Sequence, residues 1–166
     1  MHQVPAAAPP VHPLMRVPVP WVFVLAYLAG VGLQVLLPTG APRPAVALAV
    51  RVAGIVLLVA GAALATWCLS IFRRQRTTTV PFGTSSRLVT WGPYRFSRNP
   101  MYASLSMIYL GEAGILFQGW PLVTLPAVIA YLKWIVVPYE ELRLREIFGA
   151  DYESYRARVG RWIGRR

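Results

Sequence analysis

Four long apolar runs constrain this chain more than any other feature of its sequence. They cover residues 17–37, 45–72, 101–117 and 121–138. Each is close to the length of about 20 residues that crosses the hydrocarbon core of a bilayer as a helix. Only 14% of the residues are charged, against roughly 25% in soluble domains. The sequence therefore predicts an all-α integral membrane protein with about four transmembrane helices.

The segments around these runs complete a single membrane domain, residues 1–166. Four prolines among residues 1–16 predict an irregular leader. The last two runs are separated by so short a turn that they predict a helical hairpin. Residues 139–166 alternate charged and aromatic side chains and predict cytosolic amphipathic helices, with a helix stop at Gly149. This tail could lie on the membrane or fold back over the hairpin as a lid.

The distribution of charge predicts an orientation in the membrane. Six arginines lie between the second and third runs and seven follow the fourth, whereas the opposite connections hold only Arg43. By the positive-inside rule, the N-terminus and the C-terminus are both predicted to face the cytoplasm, in the plasma or inner membrane. The basic residues that give the net charge of +11 flank the apolar spans and do not form one soluble face. No nucleic acid is therefore expected as a partner.

Two further features of the apolar runs concern packing. Small residues in the second run, Gly54 and Gly61 among them, suit the close approach of another helix. Arg51 and Glu112 lie at comparable depths near the outer ends of their runs. Because isolated charges are costly in a membrane, we expect these two side chains to approach each other.

The stretch GPYRFSRNPMYAS, residues 92–104, leads into the third run. Asn99 is a favoured helix cap and Pro100 a favoured first helical residue, so the pattern predicts a helix start. Free amides and the helix dipole at such an end can receive a carboxylate, and Arg95 and Arg98 would strengthen that site. The same arginines could instead bind lipid headgroups.

Glu140 and Glu141 form the second candidate cluster, directly after the fourth run. They could pair with Arg143 and Arg145 in surface salt bridges. However, adjacent helical residues point about 100° apart, so one carboxylate can turn inward. Opposite the basic helix start, that carboxylate would bind an ammonium group. The two clusters together predict a site for a zwitterion.

These two blocks, GPYRFSRNPMYAS and EELRLREIFGADYESYRARVGRWI, resemble the isoprenylcysteine carboxyl methyltransferase family and its phospholipid methyltransferase relatives over residues 91–163. The resemblance implies a site open to the cytoplasm that binds S-adenosylmethionine and methylates an amphiphilic or lipid-like acceptor. The chain departs from the family at Asn99, where histidine is usual, and at Gly164, where the motif R-x-x-P ends in proline. Asparagine does not titrate near neutral pH, which weakens any role as a base.

The resemblance and the residues together give a set of candidate site residues. Those predicted to take part in catalysis are Arg98, Asn99 and Glu140. Those predicted to bind the cofactor are Tyr94, Arg95, Arg98, Asn99, Pro100, Tyr102, Glu140 and Glu141. The tyrosines are included because aromatic faces attract a sulfonium. No metal is expected, since both histidines lie in the leader. Two other hypotheses stay open: a membrane reductase with a nicotinamide cofactor, and a non-catalytic membrane scaffold.

Overall fold

The computed structural model describes residues 17–40, 42–75 and 88–162, and within these ranges the chain is helical, with no strand. Its five α-helices are α1 (Val19–Leu36), α2 (Pro44–Gln75), α3 (Pro100–Ile115), α4 (Gly119–Tyr131) and α5 (Val137–Arg158). The predicted leader and Gly164 lie outside the described residues. The prediction of an all-helical chain is confirmed for the part that the structure describes.

Three helical segments are long and apolar enough to cross a membrane: Val19–Leu36, Pro44–Arg73 and Gly119–Arg158. The third predicted span corresponds to α3, whose 16 residues extend about 24 Å at the usual rise per residue. That is shorter than a typical spanning helix. The structure therefore supports a membrane protein with three clear candidate spans, and α3 packs beside them as a shorter apolar helix.

The end of the fourth predicted span differs from the expectation of separate tail helices. A π-helical turn, Leu132–Val136, joins α4 to α5 without a break. Pro138 is the second residue after this turn, and the widened backbone of the turn accommodates a residue that lacks an N–H group and crowds the preceding turn. The apolar part of the continuous helix ends at Pro138. An interruption occurs at Gly149, with φ 50° and ψ −121°, at the residue where the sequence predicts a stop.

Helices α2 and α3 pack against each other in antiparallel directions at very close range. A Cβ added to Gly54 would lie 2.8 Å from the carbonyl oxygen of Gly111, and one added to Gly61 would lie 2.8 Å from that of Ser104. Only glycine permits such backbone contact, as the small residues of α2 predict.

Arg51 and Glu112 were expected to approach each other, but Arg51 contacts an aromatic ring instead. The guanidinium of Arg51 lies over the ring of Phe117, 4.8 Å from its centroid. Among the ion pairs of the described residues, none joins Arg51 to Glu112. The aromatic face of Phe117 is closer to the end of the helices, and it offers the arginine an attractive partner without burying an ion pair in the apolar region.

Helix α1 packs in the same antiparallel way against α4. A Cβ on Gly30 would meet the backbone of Pro121 at 2.8 Å, and the backbone N–H of Gly119 donates to Oε1 of Gln34 at 3.2 Å. One buried apolar cluster joins α1, α3, α4 and α5, and it includes Phe23, Tyr102 and Val136. As a result, the first turn of α3 and the start of α5 meet at one end of the bundle.

Candidate active site

Two arginines and one glutamate form an ionic cluster at this end of the bundle. Glu141 accepts a hydrogen bond from Nη1 of Arg98 at 2.6 Å, and Arg161 donates to both its oxygens, from Nε at 2.8 Å and from Nη2 at 2.7 Å. The Arg98 and Glu141 side chains are only 4% and 9% exposed. Glu141 is thus turned inward, and its binding capacity is taken up by protein groups.

Glu140 faces a different neighbour. The hydroxyl of Tyr102, in the first turn of α3, donates to Oε1 of Glu140 at 2.6 Å. Removal from water raises the pKa of Glu140 from 4.5 to about 7; the negative charge of Glu141 adds to the rise, and the hydrogen bond from Tyr102 opposes it. This carboxyl can therefore exchange a proton near neutral pH.

The side chain of Asn99 does not cap α3, contrary to the sequence prediction. Asn99 occupies the residue before the helix, yet its side chain makes no capping hydrogen bond. Its Nδ2 donates instead to the carbonyl oxygen of Arg161 at 2.9 Å, and its backbone N–H donates to Oγ of Ser97 at 3.1 Å. The Asn99 side chain turns towards the carbonyl oxygen of Arg161 and away from the helix amides. It therefore connects the start of α3 to the C-terminal tail. Pro100 is buried and begins α3, as predicted.

Tyr94 and Arg95, the two other candidates before α3, lie in different environments. Tyr94 is buried, and it lies near Glu140 and Tyr102. Arg95 is exposed and lies over the ring of Phe96, 4.4 Å from its centroid. The structure brings Tyr94, Tyr102 and Glu140 together, while Arg95 points to the surface of the bundle.

Several polar groups in this region fit an anionic ligand. Nε of Arg98 is buried and has no hydrogen-bond partner among the described residues. Arg98, Arg161 and Glu141 together carry one net positive charge. The N–H groups in the first turn of α3, like those of any helix start, lack intrahelical acceptors. Within the described residues, no group of three metal-ligating side chains exists. The residues present therefore suit a carboxylate on the ligand better than a metal.

The prediction from sequence missed the part of the site that comes from the C-terminal tail. Arg161 binds Glu141, Tyr152 accepts a hydrogen bond from Nη1 of Arg98 at 3.3 Å, and the Tyr155 hydroxyl donates to the carbonyl oxygen of Tyr94 at 2.7 Å. A signal for Arg161 was present, since it is the first residue of the segment that resembles the family motif R-x-x-P. The aromatic spacing of Tyr152 and Tyr155 indicated only an amphipathic helix.

The fold and the site define a small helical membrane protein with an arginine–glutamate site at one end of an apolar bundle. The family model described as phospholipid methyltransferase matches residues 49–151, which is more than half of the chain. The chain belongs to the phospholipid methyltransferase family. The resemblance noted in the sequence is confirmed.

Two curated relatives, from Oryza sativa subspecies indica and japonica, are similar to this chain. Both are named "Probable protein-S-isoprenylcysteine O-methyltransferase", and each is 33% identical over 75 residues. The matched stretch covers 44% of this chain and 38% of each relative. The chain thus matches less than two fifths of the length of these relatives. No solved structure matches the chain.

Proposed function

We propose that this protein transfers a methyl group from S-adenosylmethionine to an amphiphilic or lipid-like acceptor. Membership of the phospholipid methyltransferase family and the apolar helices support this class of reaction. The observation that carries the proposal is the buried, unpartnered Nε of Arg98 close to the Tyr102–Glu140 pair. Arg98, before α3, offers a donor for a carboxylate, and Glu140, on α5, offers an acceptor for an ammonium group at the same end of the bundle.

The two ends of the cofactor's amino-acid moiety would be held by different residues. Arg98, through Nε, and the first turn of α3 would bind its carboxylate. Glu140 would bind its ammonium group, because Glu141 already accepts hydrogen bonds from both arginines. Asn99 would act by holding the tail carbonyl in place, and not as a base. Arg95, which is exposed, would contribute at most to the surrounding charge.

The cofactor supplies a methyl group on a positively charged sulfur, so the protein needs to provide position and exclusion of water. Tyr94 and Tyr102 offer aromatic faces that attract this positive charge. The buried cluster around Tyr102 and Val136 lies directly beneath the site and keeps water out. An acceptor with an apolar tail could reach the site from the bilayer, and orientation of its nucleophile would account for much of the acceleration.

We place the site on the cytoplasmic face of the membrane. Arg95 and Arg98 before α3 and the arginines of α5 all lie at the same end of the bundle, whereas Arg43 lies at the other. The positive-inside rule assigns the arginine-rich end to the cytoplasm. The cofactor is water-soluble, so a site at this end would be open to its supply.

Binding of S-adenosylmethionine to the purified full chain in detergent tests the proposal. We expect calorimetric binding of S-adenosylmethionine and no comparable binding of a nicotinamide dinucleotide. Glu140→Gln should weaken binding by roughly 10-fold or more, the amount expected for loss of one hydrogen bond to a charged group. Glu146→Gln is a matched control, because Glu146 is exposed on the same helix.

Two outcomes would contradict the proposal. One is a wild-type protein that keeps its helical circular dichroism and thermal transition but does not bind S-adenosylmethionine. The other is equal binding by wild type and Glu140→Gln, which would remove Glu140 from the site. Preferential binding of the nicotinamide cofactor would favour the reductase hypothesis instead.

A further inference from the structure

The chain after α5 folds back onto the start of α3. Val159 is extended, with φ −122° and ψ 130°, and it ends α5. The N–H of Arg98 then donates to the carbonyl oxygen of Gly160 at 2.9 Å, and the Ser97 hydroxyl donates to that of Arg161 at 3.1 Å. Residues 159–162 are therefore fixed against α3 by hydrogen bonds to their backbone. This fixes the position of the Arg161 side chain over Glu141.

The geometry of the cluster explains why Arg98 keeps a donor unused. The guanidinium of Arg161 binds Glu141 through two parallel hydrogen bonds, one to each oxygen. Oε1 is therefore shared by both arginines, and Oε2 is taken by Arg161. Arg98 reaches Glu141 through Nη1 alone, which leaves its Nε buried without a partner. In the plane of its two oxygens, a carboxylate can bind one arginine in bidentate fashion, and Glu141 binds Arg161 in this way.

We propose that Arg161 is a positioning residue for the anion-binding group of Arg98. By occupying Glu141 in bidentate fashion, Arg161 prevents Arg98 from doing so and keeps Nε of Arg98 available for the carboxylate of a bound ligand. The inference rests on the proposed function in one respect: it takes S-adenosylmethionine to be that ligand. Without Arg161, Oε2 of Glu141 becomes free, and Arg98 can turn its guanidinium so that Nε and Nη2, instead of Nη1, make the bidentate contact.

A pair of cofactors tests the inference directly. S-adenosylmethionine has a carboxylate, and decarboxylated S-adenosylmethionine lacks it but retains the amine, the sulfonium and the adenosine. We expect Arg161→Ala to weaken binding of S-adenosylmethionine by about 10-fold or more, as for loss of one charge-assisted hydrogen bond. Binding of the decarboxylated form should change by less than about 3-fold. Arg161→Lys, with a single point of contact, should fall between wild type and Arg161→Ala.

The matched control is Arg158→Ala. Arg158 is exposed three residues earlier and donates to the carbonyl oxygen of Ser154, so this variant removes the same charge without touching Glu141. It should bind both cofactors as the wild type does. Equal losses for the two cofactors in Arg161→Ala would show that Arg161 merely supports the fold. No loss relative to Arg158→Ala would overturn the inference as well.

A measurement without cofactor separates this inference from the proposed function. The Nε–H resonance of Arg98, assigned by its disappearance in Arg98→Lys, reports the partner of that group in a nitrogen-15 NMR spectrum. In Arg161→Ala it should shift as Nε forms a hydrogen bond with Glu141, and in Arg158→Ala it should stay in place. A resonance that does not move in Arg161→Ala contradicts the inference. If the wild type binds no S-adenosylmethionine, the proposed function fails, and this spectrum still decides the role of Arg161.

Discussion

At the scale of single residues, two adjacent glutamates acquire different chemistry from their partners. Helical geometry alone predicts that Glu140 and Glu141 point in different directions, and that much could be predicted from the sequence. The sequence could not show which one turns inward, because its main partner, Arg161, arrives only when the tail folds back. The alternative pairing of Glu141 with Arg145 is wrong, since Arg145 binds Glu153 at 2.7 Å.

The raised pKa of Glu140 makes cofactor binding depend on pH. Its pKa of about 7 lies above the ordinary value of 4.5, so below pH 7 the carboxyl in the folded protein increasingly carries a proton. A protonated carboxyl attracts an ammonium group far less, and affinity for S-adenosylmethionine should therefore rise as the pH increases towards 7. Calorimetry between about pH 5.5 and pH 7 measures this, a range in which an α-amino group stays largely protonated.

Two variants check the origin of that pH dependence. Tyr102→Phe removes a hydrogen bond that lowers the pKa of Glu140, so the midpoint of the binding curve should move to higher pH. Glu140→Gln should bind weakly at every pH.

The stability of the ligand-free protein should show the opposite trend. Between about pH 4.5 and pH 7 the folded state holds more protons than the unfolded state, so the free energy of unfolding falls as the pH rises. A binding curve that is flat for the wild type would contradict this account.

At the scale of helices, the apolar runs fix most of the architecture. Length and hydropathy place α1, α2, α3 and the start of α4 within about three residues of their observed bounds. The continuation of the helix from α4 through Pro138 into α5 was not predicted, because Pro138 ordinarily ends or kinks a helix. The π-helical turn that accommodates Pro138 depends on packing against the rest of the bundle, which a local sequence pattern does not contain.

The contact between α2 and α3 should be sensitive to a single methyl group. A Cβ on Gly111 would lie 2.7 Å from the carbonyl oxygen of Gly54 and 2.7 Å from the backbone nitrogen of Leu58. Neither backbone atom can move aside independently, so Gly111→Ala should force the helices apart and lower the free energy of unfolding by about 1–3 kcal/mol. Thermal unfolding in detergent measures the change.

The same substitution at Gly32 provides the control. A Cβ on Gly32, within α1, meets no atom within 4 Å. Gly32→Ala should therefore leave stability unchanged or raise it slightly, because alanine favours the helix more than glycine does. Equal effects of the two alanines would show that the close contact of α2 with α3 does not limit stability.

At the scale of the whole molecule, the bundle has two chemically different ends. One end joins α1 to α2 and α3 to α4; there Gln34 and Thr39 hydrogen-bond to the start of α4. The other end collects the arginine–glutamate cluster, the start of α3 and the tail. Hydrogen bonds from Ser97, Arg98 and Asn99 connect the tail to the residues before α3 at this second end. Its position relative to the membrane therefore decides from which side a soluble cofactor can enter.

The two ends should be accessible from opposite sides of the membrane. Single cysteines introduced by Arg158→Cys and Gly40→Cys mark the site end and the connection between α1 and α2, and Gly40 has no neighbour within 4 Å of an added Cβ. The native thiol, Cys68, is fully buried, so the unsubstituted chain should give little background with a membrane-impermeant maleimide. The positive-inside rule predicts labelling of Arg158→Cys in inverted vesicles only, and of Gly40→Cys in intact cells only. The reverse pattern would place the site outside the cytoplasm, and labelling of both positions from one side would mean that an even number of segments crosses the membrane between them, as when α3 does not cross.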